Sequence, residues 1–275
     1  RFTNTPNDYT IKNKFGQELV EINLESKKED FKVLSKLILG ADGVNSWCRH
    51  NARIAWGRKS YNQKAIVAQF NLSGFHKNIA KQWFCSKGII ALLPQKENKL
   101  SMVWSAPEKL SNEILQDSRK NFLDKLGLVI GDEITKLNLI SNLSSVSLSM
   151  LTTNKCVSDR LVLMGDAAHT VHPLAGFGLN LGIFDIIDFF YLNYSSDTKK
   201  NKFFEKDIGS KKNLERYALS RKKTITFAQV GLDRLQWVFS LQGEKINTLR
   251  SLGINLLDKS TFLKKKLISR AISNF

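Results

Sequence analysis

The chain is poor in cysteine, proline and long apolar runs. Three cysteines occur in 275 residues, Cys48, Cys85 and Cys156. An odd and scattered set excludes a disulfide framework and fits a reducing compartment. No cluster of His, Cys, Asp and Glu has metal-site spacing, so no metal is expected. No apolar stretch reaches the ~20 residues that span a bilayer. The longest, Ile183 to Leu192, is interrupted by Asp185 and Asp188. No signal peptide is visible, and the chain opens on Arg1 rather than Met, so a native start is expected to be missing.

Acidic residues are also the minority, 25 against 42 Lys plus Arg, for a formal charge of +17. Such an excess suits nucleic acid, an anionic membrane or an anionic cofactor. It equally suits a coding bias toward Lys and Asn. No zinc-finger spacing or aromatic RNA-binding motif accompanies the charge, so no nucleic-acid partner is expected. What remains is ordinary globular composition, long enough for one large domain or two modest ones.

Alternating apolar residues from Tyr9 to Leu24 predict a hairpin about Lys14-Phe15-Gly16-Gln17. Ser26 to Asp30 reads as a charged loop. Val33 to Leu39, ending at Gly40, predicts one buried strand of a parallel sheet. Asn45 or Ser46 can cap a short helix after it. Strands are expected at Ala65–Leu72, Ile89–Leu93, Leu100–Trp104 and Val146–Leu151, and one helix over Ser111–Leu126. Leu161 to Met164 predicts a short, wholly apolar strand. Helices are expected over Leu181–Leu192, Leu214–Leu241 and Phe262–Phe275, with a polar loop at Ser195–Ser210.

The chemistry concentrates between Gly165 and Gly182. A buried strand delivers Gly165-Asp166 to its carboxyl end, where ligands bind in α/β sheets. Asp166 is a fixed carboxylate able to accept hydrogen bonds from sugar-like hydroxyls. Gly176 and Gly178 permit close backbone approach. The amides of a helix starting near Leu179 can stabilise developing negative charge. Taken singly, each glycine reads as a turn or packing residue, and Asp166 as a cap of the Ala167-Ala168 turn. His169 and His172 read as satisfied polar histidines rather than ligands, and Pro173 as a stop.

The ordered string Gly165-Asp166-Ala167-Ala168-His169-Thr170-Val171-His172-Pro173-Leu174-Ala175-Gly176-Phe177-Gly178-Leu179-Asn180-Leu181-Gly182 resembles the second FAD-contacting motif of the group-A flavoprotein aromatic hydroxylases. Its fuller form is similar to the ubiquinone-biosynthesis branch. Gly40-Ala41-Asp42-Gly43-Val44-Asn45-Ser46, then Arg49, resembles that family's D-G motif, implicated in FAD and NAD(P)H binding. Weaker matches run through Tyr61, Gln63, Ala65, Gly88, Ala91, Leu93, Pro94 and Val103-Trp104-Ser105. Leu214, Tyr217 and Arg221 are similar to the family's L-x-x-Y-x-x-x-R helix.

The resemblance implies an α/β fold: an incomplete FAD-binding Rossmann-like domain, an inserted mixed-sheet substrate domain and C-terminal helices. The expected division is 1–59 and 154–194 for the FAD-binding part, 60–153 for the substrate sheet, and 195–275 for a loop and helices. It implies an FAD-dependent monooxygenase that hydroxylates the aromatic ring of a polyprenyl phenol or quinol through a flavin C4a-hydroperoxide, with NAD(P)H as co-substrate. The implied cofactor contacts are Asp42, Gly43, Gly165, Asp166, Ala167, Pro173, Gly176, Gly178, Leu179 and Asn180. Pro173 is expected near the site of oxygen reaction. His172 is the other catalytic candidate. A cytoplasmic location is implied, peripheral on the inner membrane and within a ubiquinone-biosynthesis complex. The basic segment Phe262 to Arg270 is a candidate membrane face, or a solvated helix.

Departures from the pattern leave other readings open. The family's opening β-α-β unit with G-x-G-x-x-G does not occur in these residues. Phe177 stands where the branch has Gln, and Trp83 near a position often basic. Met150 to Asn154 lacks the usual proline. An inactive fragment, a non-catalytic membrane-associated component of a quinone-biosynthesis complex, and the same chemistry on another aromatic substrate all remain alternatives.

Overall fold

The computed structural model describes residues 5–14, 17–25, 30–74, 76–173, 176–193 and 207–241, with 248, 253, 259–262 and 265. The chain divides into two compact units, one built on Arg1–Lys59 and Met150–Asp233, the other on Ser60–Ser149 with Arg234–Ile268.

The first unit opens with the expected hairpin, β1 (Thr5–Lys14) against β2 (Gln17–Glu25), antiparallel. The next apolar run is where the structure departs from the reading. It is two strands, β3 (Phe31–Ser35) and β4 (Ile38–Gly40), in different sheets. β3 continues the meander on β2, whereas β4 lies parallel to a distant strand. Ser35 makes the break: its hydroxyl accepts from the Leu37 amide and donates to the Leu37 carbonyl. Such local side-chain bonds compete with a ladder. β3 is consequently exposed, with Leu34 42% accessible, rather than buried.

The helix α1 (Trp47–Asn51) follows β4 and is capped by Ser46, whose hydroxyl accepts from the Arg49 amide. The second sheet is completed by β11 (Val157–Ser158) and β12 (Leu161–Leu163), in the order β11-β12-β4. β12 is its middle strand and is buried on both faces, which explains its unbroken apolar sequence. Leu161 and Leu163 pack with Val20, Ile38, Cys48 and Ile54, while Val162 and Met164 pack with Leu37, Phe189, Leu214 and Tyr217. The buried guanidinium of Arg160 anchors the strand's start through paired contacts to Asp207 at 2.8 and 2.9 Å. Two long helices belong here: α4 (Phe177–Asn193) and α5 (Lys211–Ser240).

The second unit centres on an antiparallel sheet of order β10-β5-β8-β7-β6, with β9 on β5. Its strands are β5 (Trp56–Leu72), β6 (Lys81–Cys85), β7 (Gly88–Pro94), β8 (Lys99–Pro107), β9 (Leu137–Leu139) and β10 (Ser144–Thr153). β5 is far longer than expected, and β6 and β9 were not foreseen. The helical stretch is two helices, α2 (Glu108–Gln116) and α3 (Arg119–Ile130), because Asp117 turns extended and Ser118 caps the second. Both helices cover one sheet face, where Ile66, Phe70, Ile90, Met102 and Trp104 bury against Ile114, Phe122 and Leu126. The opposite face carries aligned small and apolar rows, Val67-Val103-Ala91 and Ala65-Ser105-Ile89. The Phe15-Gly16 turn, most of Ser195–Ser210 and nearly all of Phe262–Phe275 lie outside the described residues.

Candidate functional site

β12 ends in a tight corner. Gly165 has φ +55° and starts a 3₁₀ turn over Gly165–Ala167. Its carbonyl accepts from the Ala168 and His169 amides, both at 2.9 Å. α4 packs on this turn, where a Cβ on Gly182 would meet the Gly165 Cα at an ordinary contact distance of 3.4 Å. Asp166 is exposed at this corner and makes no hydrogen bond or ion pair among the described residues. It is therefore not the cap of the Ala167-Ala168 turn. Ala167 and Ala168 are buried.

The chain returns through Val171, His172 and Pro173 to Gly176, whose amide donates to the Pro173 carbonyl at 3.1 Å. His172 is fully buried, and burial pulls its pKa down to about 4 against a weaker opposite pull from Asp233. Pro173 is exposed. Gly176 has φ +66°, with no atom within 4 Å of where a Cβ would stand. α4 then starts at Phe177, so Gly178, Leu179 and Asn180 occupy its first turn. Helix first-turn amides have no partner within the helix, and Leu179 and Asn180 are exposed there. Leu174 and Ala175 lie outside the described residues.

A buried charge network holds the corner. The Asp185 carboxylate accepts from the Gly165 amide at 2.8 Å and pairs with His169 Nε2 at 2.8 Å. Its other oxygen accepts from Arg221 Nε at 2.8 Å. Arg221 also reaches Asp188 at 2.9 Å and donates to the Leu181 carbonyl. Burial alone would raise the Asp185 pKa. The His169 hydrogen bond and charge, the Gly165 amide and Arg221 outweigh it, so the carboxyl sits below the ordinary aspartate range. A buried carboxylate so fully paired is a fixed anchor rather than a proton carrier.

The D-G loop follows β4. Gly43 has φ +82° and open space about it. Asp42 caps α1 from outside, accepting from the Cys48 amide at 2.9 Å. Burial opposes its charge, but hydrogen bonds from Ser46 and Cys48 prevail and its pKa is lowered. Arg49 ties this loop to the other motif: its guanidinium donates to Val44 at 2.7 Å and to Ala167 at 2.8 Å. It also lies 4.8 Å over the Trp56 ring, a cation–π contact.

The two motifs are thus joined through Arg49 at the carboxyl ends of paired parallel strands. The parts fit the flavin end of FAD: a free carboxylate for ribityl hydroxyls, open glycines, and first-turn amides for an electron-rich ring edge. Sequence reasoning missed the roles of Asp185, Arg221 and Arg49. Asp185 had left a signal, as one of two charges, with Asp188, inside an apolar helical run. Among the described residues, no group of three or more His, Cys, Asp or Glu could hold a metal ion. No helix among them is long and apolar enough to cross a membrane.

Known proteins resemble this chain over most of its length. Rat ubiquinone biosynthesis monooxygenase COQ6, mitochondrial, is 28% identical over 271 residues, covering 86% of this chain and 56% of that protein. Ubiquinone hydroxylase UbiL of Rhodospirillum rubrum is 34% identical over 154 residues, 56% of this chain and 36% of UbiL. The chain thus spans little more than half the length of its curated relatives. Among solved structures, p-nitrophenol 4-monooxygenase PnpA from Pseudomonas putida superposes with TM-score 0.75 at 13% identity, over 97% of this chain and 65% of PnpA. Anhydrotetracycline hydroxylase OxyS from Streptomyces rimosus does so with TM-score 0.65 at 16% identity, over 94% of this chain and 49% of OxyS. Residues 7–191 match the FAD binding domain family, and the chain belongs to that family.

Proposed function

We propose that the chain is the flavin-corner and substrate-sheet portion of an FAD-dependent monooxygenase that uses NAD(P)H to hydroxylate the ring of a polyprenyl phenol or quinol in ubiquinone biosynthesis. The carrying observation is Asp166, exposed and without a hydrogen bond or ion pair among the described residues, on the turn that ends β12 and packs against α4. In this reading residues 1–59 and 154–194 form the flavin-binding part and 60–153 the substrate-binding part. The bound flavin supplies the redox and oxygen chemistry.

The chain's own residues bind, orient and exclude water. Asp166 would accept from the ribityl hydroxyls of the bound flavin. The first-turn amides at Gly178 and Leu179 would stabilise charge on it. Gly176, Asn180 and Pro173 would help to hold it. Gly43 allows close approach, while Asp42 shapes its loop through Cys48. His172, buried and neutral, stiffens the return. The rows Val67-Val103-Ala91 offer a flat apolar bed for an aromatic substrate. The pyrophosphate needs a strand followed by a glycine-rich helix start. β4 ends its sheet among the described residues, and α4 presents Leu179, Ile183, Ile187 and Phe190 exposed. That edge and stripe fit such a β-α-β complement. A prenylated substrate would keep the protein peripheral to the inner membrane, alongside the other quinone-biosynthesis components.

The test is ¹⁸O₂ incorporation into a short-chain prenyl phenol by the protein carrying a G-x-G-x-x-G segment, with NAD(P)H. One labelled oxygen in the product is expected. NAD(P)H consumption without incorporation, or incorporation from water, would overturn the assignment.

A further inference from the structure

We infer that the first unit holds a second small-molecule site, a pocket for a compact amphiphilic monoanion between the end of β10 and α5. The cavity there measures about 280 Å³. At roughly 30 Å³ for each water-sized unit it holds about nine such units, the size of a ligand of eight to ten heavy atoms. Ala168, Ala218, Leu219 and Ile225 give it an apolar lining, and Cys156 joins them. Burial pushes the Cys156 thiol up to about 12, so that wall is uncharged.

Several neutral polar groups of the wall are already hydrogen-bonded to the surrounding backbone. Gln229 donates to the Leu151 and Thr170 carbonyls at 2.7 and 3.2 Å. Thr153 donates to Ala168 at 3.0 Å. His169 is taken by Asp185. Those bonds fix Gln229, Thr153 and His169 in place, with Asn154 and Thr226 among the other neutral polar members of the lining. Lys155 and Lys222 also line the cavity, are exposed, and make no hydrogen bond or ion pair among the described residues. No acidic residue stands with them in the lining. Two free ammonium groups above an apolar floor select a carboxylate head with a hydrocarbon body. The floor also reports inward, because the His169 ring meets the carboxylate that holds the Gly165 amide. The binding claim does not rest on the flavin reading and is tested without flavin.

The experiment is calorimetric titration of the chain with octanoate. Saturable one-site binding is expected, with octanol at least ten-fold weaker. Lys155→Glu with Lys222→Glu should weaken octanoate at least ten-fold, whereas Lys109→Glu with Lys120→Glu on the second unit should not. Ala218→Phe, which fills the cavity, should abolish binding. Non-saturable uptake, equal affinity for octanol, or equal loss from the remote lysine pair would overturn the site. Should Ala218→Phe not fold, nuclear Overhauser contacts from the octanoate methyl to Leu219 and Ile225 in the unaltered chain decide the matter, and their absence in the bound state refutes it.

Discussion

Replacing Asp185 with Ala should be among the costliest single changes in the first unit. The carboxylate lies wholly buried and its removal strands the Arg221 guanidinium, the His169 ring and the Gly165 amide. Breaking one side of a buried ion pair costs about 3–5 kcal/mol. Each buried donor left unpaired adds about 1–3 kcal/mol. Arg221 keeps Asp188, whose side chain is 35% exposed, and this offsets part of the loss. A net loss of about 5 kcal/mol follows after that offset, a large fraction of the 5–15 kcal/mol typical of a folded protein. Asp185→Asn keeps an acceptor and should lose about half as much. Asp185→Leu with Arg221→Leu removes both charges together, so the double change should cost less than the sum, by about 2 kcal/mol or more. Urea unfolding followed by circular dichroism measures these three and the two single Leu changes, and hydrogen exchange at the Gly165 amide localises the effect. A loss under about 1 kcal/mol for Asp185→Ala, or strict additivity, would refute the reasoning. The pH dependence has a definite sign. A carboxyl whose folded pKa is lowered stabilises above the ordinary value near ~3.9, and that stability disappears as pH falls through the folded pKa.

His172 acts in a higher window. The ordinary histidine value is 6.5 and burial brings the folded one to about 4, so the unfolded chain takes up the proton first as pH falls. Stability should drop by about 3 kcal/mol between those values at 1.36 kcal/mol per pH unit; His172→Leu should flatten that slope in urea titrations, and an unchanged slope would remove His172 from it. In the second unit, a Cβ at Gly88 would stand 2.0 Å from the Ser105 carbonyl oxygen, at φ +113°. Gly88→Ala should therefore cost about 3 kcal/mol or more in thermal unfolding, and a near-neutral result would contradict the placement of β7 beside β8.

The strongest sequence signals were those with one physical cause. β12 was legible because a strand buried on both faces has no polar positions, and the corner after it because Gly165 and Gly176 take positive φ, which favours a residue without Cβ. The hairpin and α5 were legible from periodicity. The β3/β4 break was not, since a single hydroxyl, Ser35, outweighs an apolar run that reads as continuous. The α2/α3 break hid in the same way behind Asp117 and Ser118. β6 and β9 are short and gain their pairing from neighbours far along the chain. At the site, Asp166 and the glycines were visible as types in order. Asp185, Arg221 and Arg49 were not assigned, because their partners lie 20, 36 and 118 positions away and only the fold brings them together.

The central claim is that the free carboxylate at the end of β12 grips the flavin. Its most direct test is FAD titration by fluorescence quenching, on the chain alone and on the protein carrying a G-x-G-x-x-G β-α-β segment, each with and without Asp166→Ala. The chain alone should retain little flavin. The longer protein should bind it, and Asp166→Ala should weaken binding about ten-fold, or about 1.4 kcal/mol, with unfolding unchanged because Asp166 makes no hydrogen bond or ion pair among the described residues. Equal affinity in the two longer proteins would contradict the account.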